Sequence, residues 1–247
     1  MSLLPAIEIE TAPHPTHAVI WMHGLGADGS DFVPVVPELG LPDTLAVRFV
    51  FPHAPAIPVT CNGGYVMPAW YDIYSLDEAG RKADVAGIEQ SRDAIRALIG
   101  RENARGIPTA NIVLAGFSQG GAIAYTTALT HPQALAGVIA LSTYIPSPEL
   151  IAAEATPANA TTPIFAAHGT ADDVVPLVLG TRARFPDRTG PAGDLARVRQ
   201  HAALGLSRRN RRYRHVAAGA LRLTGHAGDY ATDCATIARP AIQNFCQ

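Results

Sequence analysis

The stretch NIVLAGFSQGGAIAYTTAL, residues 111–129, decides the fold. An apolar run leads into Gly116-Phe117-Ser118-Gln119-Gly120, after which small apolar residues take on a helical pattern. A G-x-S-x-G turn between a strand and a helix is typical of a nucleophile elbow, where glycines relieve crowding around a strained serine. The stretch therefore predicts a strand, a sharp turn and a helix. Ser118 is the candidate nucleophile, and a serine that merely forms a turn is the alternative.

Four further apolar runs bounded by turn residues predict strands of the same kind. They are near-continuous rather than alternating, as strands buried on both faces of a parallel sheet require. The five predicted strands cover residues 18–22, 47–51, 111–116, 137–141 and 163–167. Helical patterns cover residues 83–99 and 120–130. Strands that alternate with helices predict an α/β fold with a doubly wound, mostly parallel sheet.

The composition is that of one globular domain. The chain has 247 residues, of which 48% are hydrophobic and 16% charged, which suits a single α/β domain over residues 1–247. A formal net charge of −2 indicates no polyanionic partner. No apolar run is long enough for a membrane span, and the acidic N-terminus is unlike a secretory signal. Cys61, Cys234 and Cys246 do not follow C-x-x-C spacing, which predicts free thiols in a cytoplasmic protein.

The segment WMHGLGADGSDF, residues 21–32, follows the first predicted strand and has two interpretations. It contains G-x-G-x-x-G, but a dinucleotide site expects an acidic residue about 20 positions further on. The second strand instead ends VRFVFPHAP, without a carboxylate. The alternative is a loop opened by His23 and Gly24, whose Leu25 amide acts with the Gln119 amide as an oxyanion donor. In that interpretation His23 is structural and is not the catalytic base.

A third segment, PIFAAHGTADDVVP, residues 163–176, places two acids after a strand. Chemistry in open α/β sheets gathers at the carboxyl ends of the strands. Asp172 is therefore the candidate that accepts the Nδ1–H of a catalytic histidine. Asp173 competes for this role, and a helix N-cap is the alternative for Asp172. The order serine before aspartate fits that of α/β-hydrolases.

Together these segments resemble the carboxylesterase and acyl-protein thioesterase family of α/β-hydrolases, over about residues 18–184. The resemblance is carried by HGLGADGSDF, LPDTLAVRFVFPHAP, NGGYVMPAWYDI, GFSQGGAIA, ALSTYIP and HGTADDVVPL. It implies a serine hydrolase without cofactor or metal that cleaves short acyl esters or thioesters. It further implies Ser118 as nucleophile, Asp172 as triad acid, and Leu25 with Gln119 as oxyanion donors. Trp70 and Tyr71 would then line the acyl or alcohol pocket.

The family pattern stops near residue 185. Residues 1–184 carry 9 Lys and Arg against 17 Asp and Glu, whereas residues 185–247 carry 10 Arg against 4 Asp, without Lys or Glu. If plausible GC-rich codons are assigned to residues 185–217 and the frame is shifted by one base, the translation contains VTWREY and HSV, which resemble the family's strand and histidine loop. We interpret this arginine-rich tail as the product of a frameshift. The nucleotide sequence across the Arg184 codon tests the interpretation.

The tail contains no motif that matches the family's catalytic histidine, so we expect impaired activity and loss of the family's last strand and C-terminal helix. It offers His201, His215 and His226, of which His226 in LTGHAGDY is the candidate base and a solvated surface histidine is the alternative. The basic stretch SRRNRRYRH, residues 207–215, supports a rival hypothesis. In that hypothesis the chain is a non-catalytic, hydrolase-like scaffold whose tail binds nucleic acid or another anionic surface.

Overall fold

The structure is a computed structural model that describes residues 3–75, 83–168, 175 and 242–243. The strands in these residues are β1 (Ala6–Glu10), β2 (His17–Met22), β3 (Val47–Pro52), β4 (Ala56–Val59), β5 (Tyr65–Pro68), β6 (Ile112–Phe117), β7 (Gly137–Leu141) and β8 (Ile164–Ala167). The α-helices in the same residues are α1 (Val35–Glu38), α2 (Val85–Ala104), α3 (Gln119–Leu129) and α4 (Pro148–Glu154).

Six of these strands form one sheet in the order β1-β3-β2-β6-β7-β8. Neighbouring strands are parallel except at one edge, where β1 runs antiparallel to β3. The five predicted strands are all present in this sheet and begin and end within one residue of the predicted positions. The α/β architecture with a mostly parallel sheet is thereby confirmed.

The sequence did not predict the edge strand or the hairpin formed by β4 and β5. Strand β1 is short and acidic, and its carboxylates meet arginines from elsewhere. Arg48 donates to Glu10 at 2.9 Å, and Arg105 donates to Glu8 at 2.8 Å. The hairpin lies inside the Pro- and Gly-rich segment of residues 53–75, where the sequence patterns above predict no strand. It turns through residues 63–64, both glycines with positive φ.

The two faces of the sheet bury separate clusters because successive strand residues point to opposite sides. Ile20 and Met22 belong to the cluster that includes buried residues of α2, α3 and α4. Val19 and Trp21 belong to the other cluster, which includes residues of α1 and also Ile242. Ile242 comes from the arginine-rich tail and is fully buried. No helix in the described ranges combines the length and the apolar character that crossing a bilayer needs.

Candidate active site

Ser118 lies at the sharp turn between β6 and α3, which we call the elbow (residues 116–121). Its backbone adopts φ 51° and ψ −119°, a conformation that residues other than glycine rarely adopt. The Ser118 amide donates to the Leu141 carbonyl at 2.9 Å, and the Ser118 carbonyl accepts from the Thr143 hydroxyl at 2.6 Å. These bonds hold the strained backbone in place, and the serine itself is half-buried.

Three glycines make the elbow possible because none of them has room for a side chain. A Cβ on Gly116 would lie 2.5 Å from the Gly121 nitrogen. A Cβ on Gly120 would lie 2.5 Å from the carbonyl oxygen of His23 and would also meet that of the preceding residue. A Cβ on Gly121 would lie 2.7 Å from the Thr143 Cβ. Helix α3 therefore packs directly on the backbone at the carboxyl ends of the neighbouring strands.

A second turn, the His23 loop (residues 23–27), passes beside the elbow. An ideal Cβ on Gly24 would lie 3.6 Å from the Ser118 Cβ. The Ala27 amide donates to the Gly24 carbonyl at 3.3 Å, and Gly26 has φ 76°. This hydrogen bond and the positive φ at the third residue are those of a β-turn with Leu25 at its second position. The Leu25 peptide is thus part of a turn that borders Ser118.

The Leu25 and Gln119 amides are available as hydrogen-bond donors. Among residues 3–75, 83–168, 175 and 242–243, neither N–H donates to a partner. Gln119 is the first residue of α3, and the first N–H groups of a helix have no intrahelical acceptor. The helix dipole adds partial positive charge at this end. Free amides beside a serine hydroxyl suit the negative oxygen that forms during acyl transfer.

His23 holds the loop that carries Leu25. Its buried ring has Nδ1 2.7 Å from the Gly24 carbonyl oxygen and Nε2 3.0 Å from the Ala54 amide nitrogen. Because the Ala54 N–H is a donor, Nε2 must accept, and the ring hydrogen resides on Nδ1. Burial lowers the pKa of His23, which agrees with a neutral ring. Both ring nitrogens are occupied, so His23 is structural, as expected from the sequence.

The side chain of Gln119 fixes the segment that carries Trp70 and Tyr71. Its Oε1 accepts from the Trp70 amide at 2.8 Å, and its Nε2 donates to the Tyr71 carbonyl at 2.7 Å. The buried Trp70 indole donates from Nε1 to the His23 carbonyl at 2.8 Å. The hydroxyls of Tyr71 and Tyr144 lie 2.8 Å apart. Residues 70–71 are therefore tied to both the elbow and the His23 loop.

Trp70 also borders a cavity of about 390 Å³ between the β4–β5 hairpin and the start of α2. Tyr71 and Ser118 are not among the residues that line it. The contact of Trp70 and Tyr71 with an acyl or alcohol group therefore stays a prediction from the resemblance. What the structure adds is that the backbone of both residues is positioned by Gln119.

The candidate acids and bases lie outside the described residues: Asp172, Asp173, His201, His215 and His226. The chain leads toward the two acids from His168, just after β8, whose Nε2 donates to the Val175 carbonyl at 2.6 Å. In the described part of the chain, no group of three or more His, Cys, Asp or Glu side chains could hold a metal ion.

The chain has relatives among known hydrolases. A family model for phospholipases and carboxylesterases matches residues 5–185. Acyl-protein thioesterase 1 of Mycosarcoma maydis is 42% identical over 193 residues, which are 74% of this chain and 80% of that protein. Acyl-protein thioesterase 1 of Neurospora crassa is 44% identical over 197 residues, 74% of this chain and 75% of that protein. A probable carboxylesterase of Oryza sativa is 37% identical over 174 residues, 70% and 65% of the two chains.

Solved structures share the fold. SOBER1 of Arabidopsis thaliana is similar with a TM-score of 0.65 at 31% identity, covering 68% of this chain and 80% of that chain. Zea mays acyl-protein thioesterase 2 has a TM-score of 0.61 at 29% identity, covering 72% and 81%. The family match ends at residue 185, where the sequence pattern departs from the family. The chain therefore belongs to the phospholipase/carboxylesterase family and is a carboxylic ester hydrolase with the α/β-hydrolase fold.

Proposed function

We propose that this chain is a serine hydrolase that cleaves small carboxylic esters or thioesters through an acyl-enzyme at Ser118. The observation that carries the proposal is the strained Ser118 backbone beside the Leu25 and Gln119 amides, which donate to no acceptor in the described part of the chain. In this proposal the serine oxygen attacks the acyl carbonyl, and the developing oxyanion accepts hydrogen bonds from both amides. Relatives named acyl-protein thioesterase and carboxylesterase support this substrate class.

The attack on the carbonyl needs a base that removes the Ser118 proton. His23 does not serve because both of its ring nitrogens are hydrogen-bonded. The family's histidine loop is missing from the tail, so we propose that His226 is the candidate base, that Asp172 orients it, and that activity is impaired if His226 does not reach Ser118. Trp70 and Tyr71 border the acyl or alcohol group in this proposal, which includes no metal and no cofactor.

The rival hypothesis of a nucleic-acid-binding scaffold has less support. The family match spans residues 5–185 and relates the chain to hydrolases, whereas only the nine residues of SRRNRRYRH favour anion binding. We further propose a single domain in the cytoplasm. The spacing of the three cysteines, which does not follow C-x-x-C, supports that location.

The test is hydrolysis of p-nitrophenyl acetate by the full chain beside its Ser118→Ala variant. We expect turnover that falls by about 10³-fold or more in the variant, because the acyl-enzyme cannot form. Equal rates for the two proteins would refute an acyl-enzyme at Ser118. A His226→Ala variant, with His215→Ala as its matched control, then tests the assignment of the base.

A further inference from the structure

One peptide group joins the His23 side chain to the Leu25 amide. The Gly24 carbonyl and the Leu25 N–H belong to the same planar trans peptide, so they point in opposite directions. The His23 Nδ1–H donates to that carbonyl at 2.7 Å. A bond that fixes the direction of the carbonyl therefore also fixes the direction of the N–H on the other side of the peptide.

The imidazole can impose this direction because it is itself held. The Ala54 amide donates to Nε2 at 3.0 Å, and the ring centroid lies 5.2 Å from that of Trp70. The Trp70 indole also donates to the His23 carbonyl, which restrains the backbone under the ring. No part of His23 is exposed. A buried ring with both nitrogens bonded has one orientation and one neutral tautomer.

The imidazole makes the shorter of two hydrogen bonds to the Gly24 carbonyl. The other bond comes from the Ala27 amide at 3.3 Å and closes the turn. At 2.7 Å the His23 bond is at the short end of the ordinary range for N–H···O bonds, whereas the Ala27 bond at 3.3 Å lies just beyond its long end. His23 is thus the main constraint on the Gly24–Leu25 peptide, and the turn bond alone leaves it freer to rotate.

We propose that His23 is a positioning residue, whose Nδ1–H acts through the Gly24 carbonyl to aim the Leu25 N–H at the oxyanion formed on Ser118. The inference rests on the proposed function, because it takes Leu25 as an oxyanion donor. Oxyanion holes accelerate acyl transfer only when their donors are already oriented toward the developing charge. The contribution of His23 therefore lies in kcat and not in KM.

Two variants separate this role from simple packing. In His23→Asn the side-chain nitrogen is as many bonds from Cα as Nδ1, so the donor to Gly24 is kept and the acceptor for Ala54 is lost. In His23→Gln the side-chain oxygen is as many bonds from Cα as Nε2, so the acceptor for Ala54 is kept and the donor to Gly24 is lost. Both variants bury a neutral amide and break one bond.

We expect the kcat of His23→Gln to fall about 10- to 100-fold, less than the roughly 10²- to 10³-fold cost of deleting an oxyanion donor. His23→Asn should stay within about threefold of the parent, and KM should change little in either variant. His17→Gln is the control and should keep the parent kcat, because His17 is the first residue of β2, at the opposite end of the strand from His23, which follows Met22. Equal loss of kcat in the two His23 variants would overturn the inference.

A readout that needs no activity distinguishes this inference from the proposed function. Residual dipolar couplings report the direction of the Leu25 N–H bond in the parent and in each His23 variant. We expect a changed coupling in His23→Gln and a retained one in His23→Asn. If the parent shows no Ser118-dependent turnover, the proposed function fails while the couplings still test the positioning. An unchanged Leu25 coupling in both variants would refute it.

Discussion

The elbow carries Ser118 and the His23 loop passes beside it, but the two turns are held in place mainly by different forces. The elbow depends on close packing: other atoms of the protein lie where a Cβ on Gly116, Gly120 or Gly121 would be. The His23 loop depends on hydrogen bonds, because the His23 imidazole and the Ala27 amide both donate to the Gly24 carbonyl. Close packing restricts which residue can occupy the crowded position itself, whereas a hydrogen bond also requires a suitable partner elsewhere in the chain.

This difference explains which of the two the sequence predicts. The glycines of the elbow lie within three residues of Ser118, so residues 111–129 alone predict the strand, the turn and the helix. The partners of His23 are Ala54 and Trp70, which lie 31 and 47 residues further along the chain. The sequence therefore predicts that His23 is structural, but it does not reveal what the ring holds.

The largest expected effect comes from Gly120→Ala, which disrupts the close packing of the elbow. The added methyl group would meet the carbonyl oxygens of Met22 and His23, which belong to the backbone of the central sheet and cannot give way. We expect a loss of about 3 kcal/mol or more in the free energy of unfolding. Urea unfolding measures the loss, and any Ser118-dependent activity should fall with it.

Gly100→Ala is the matched control for that prediction. Gly100 lies in α2, and among the described residues a Cβ there would meet no atom within 4 Å. Alanine is the better helix former, so this variant should be about 1 kcal/mol more stable than the parent. A Gly120→Ala protein as stable as the parent would show that α3 can shift away from the sheet, and the elbow would then not be sterically fixed.

The same distinction holds for the rest of the fold. The buried parallel strands are predicted because burial on both faces demands apolar residues at every position. Strand β1 does not fit the continuous apolar pattern because Glu8 and Glu10 interrupt it; its alternation of isoleucine and glutamate is instead typical of a strand with one exposed face. The arginine partners of these glutamates lie 38 to 97 residues away. The β4–β5 hairpin is not predicted because Pro58 and Pro68 weaken the strand signal.

The contacts that support the site are also not predicted by the sequence. The Thr143 hydroxyl that holds the Ser118 carbonyl gives no local signal beyond its place after a predicted strand. The sequence predicts a role only for the backbone amide of Gln119. Its side chain, however, fixes residues 70–71 by two hydrogen bonds. Such contacts join segments that become neighbours only when the sheet has formed.

A smaller effect is a pH dependence of the free energy of unfolding that comes from the His23 loop. The loop contains a titratable group, whereas the elbow contains none. Burial lowers the pKa of His23; the hydrogen bond to Gly24 and the charge of Asp28 oppose the shift, and His53 adds to it. The unfolded chain therefore takes up the proton first as the pH falls below about 6.5. Folding stability due to His23 is complete above that pH and declines toward the lower folded pKa.

Each unit of difference between the unfolded and folded pKa is worth about 1.4 kcal/mol in this decline. Urea unfolding at pH 7.5 and pH 5.0 measures it in the parent and in His23→Gln, which lacks the titrating ring. Burial also lowers the pKa of His17 and His131, but both proteins keep those residues. The parent should lose more stability on acidification than the variant. Equal losses would mean that the protonated ring is tolerated in the loop.

The smallest expected effect concerns Gly26, the residue of the His23 loop that has a positive φ. Of the atoms in the described residues, a Cβ there would meet the Met67 sulfur alone, at an ordinary contact distance of 3.6 Å. The cost of Gly26→Ala is therefore conformational and about 1 kcal/mol. Gly26→Asn should cost less because asparagine tolerates positive φ. Asparagine cannot relieve Gly120, where the obstacle is the Cβ itself. If Gly26→Asn and Gly26→Ala lost the same free energy of unfolding, the available space rather than the backbone conformation would determine the residue at position 26. The His23 loop would then depend on close packing, as the elbow does.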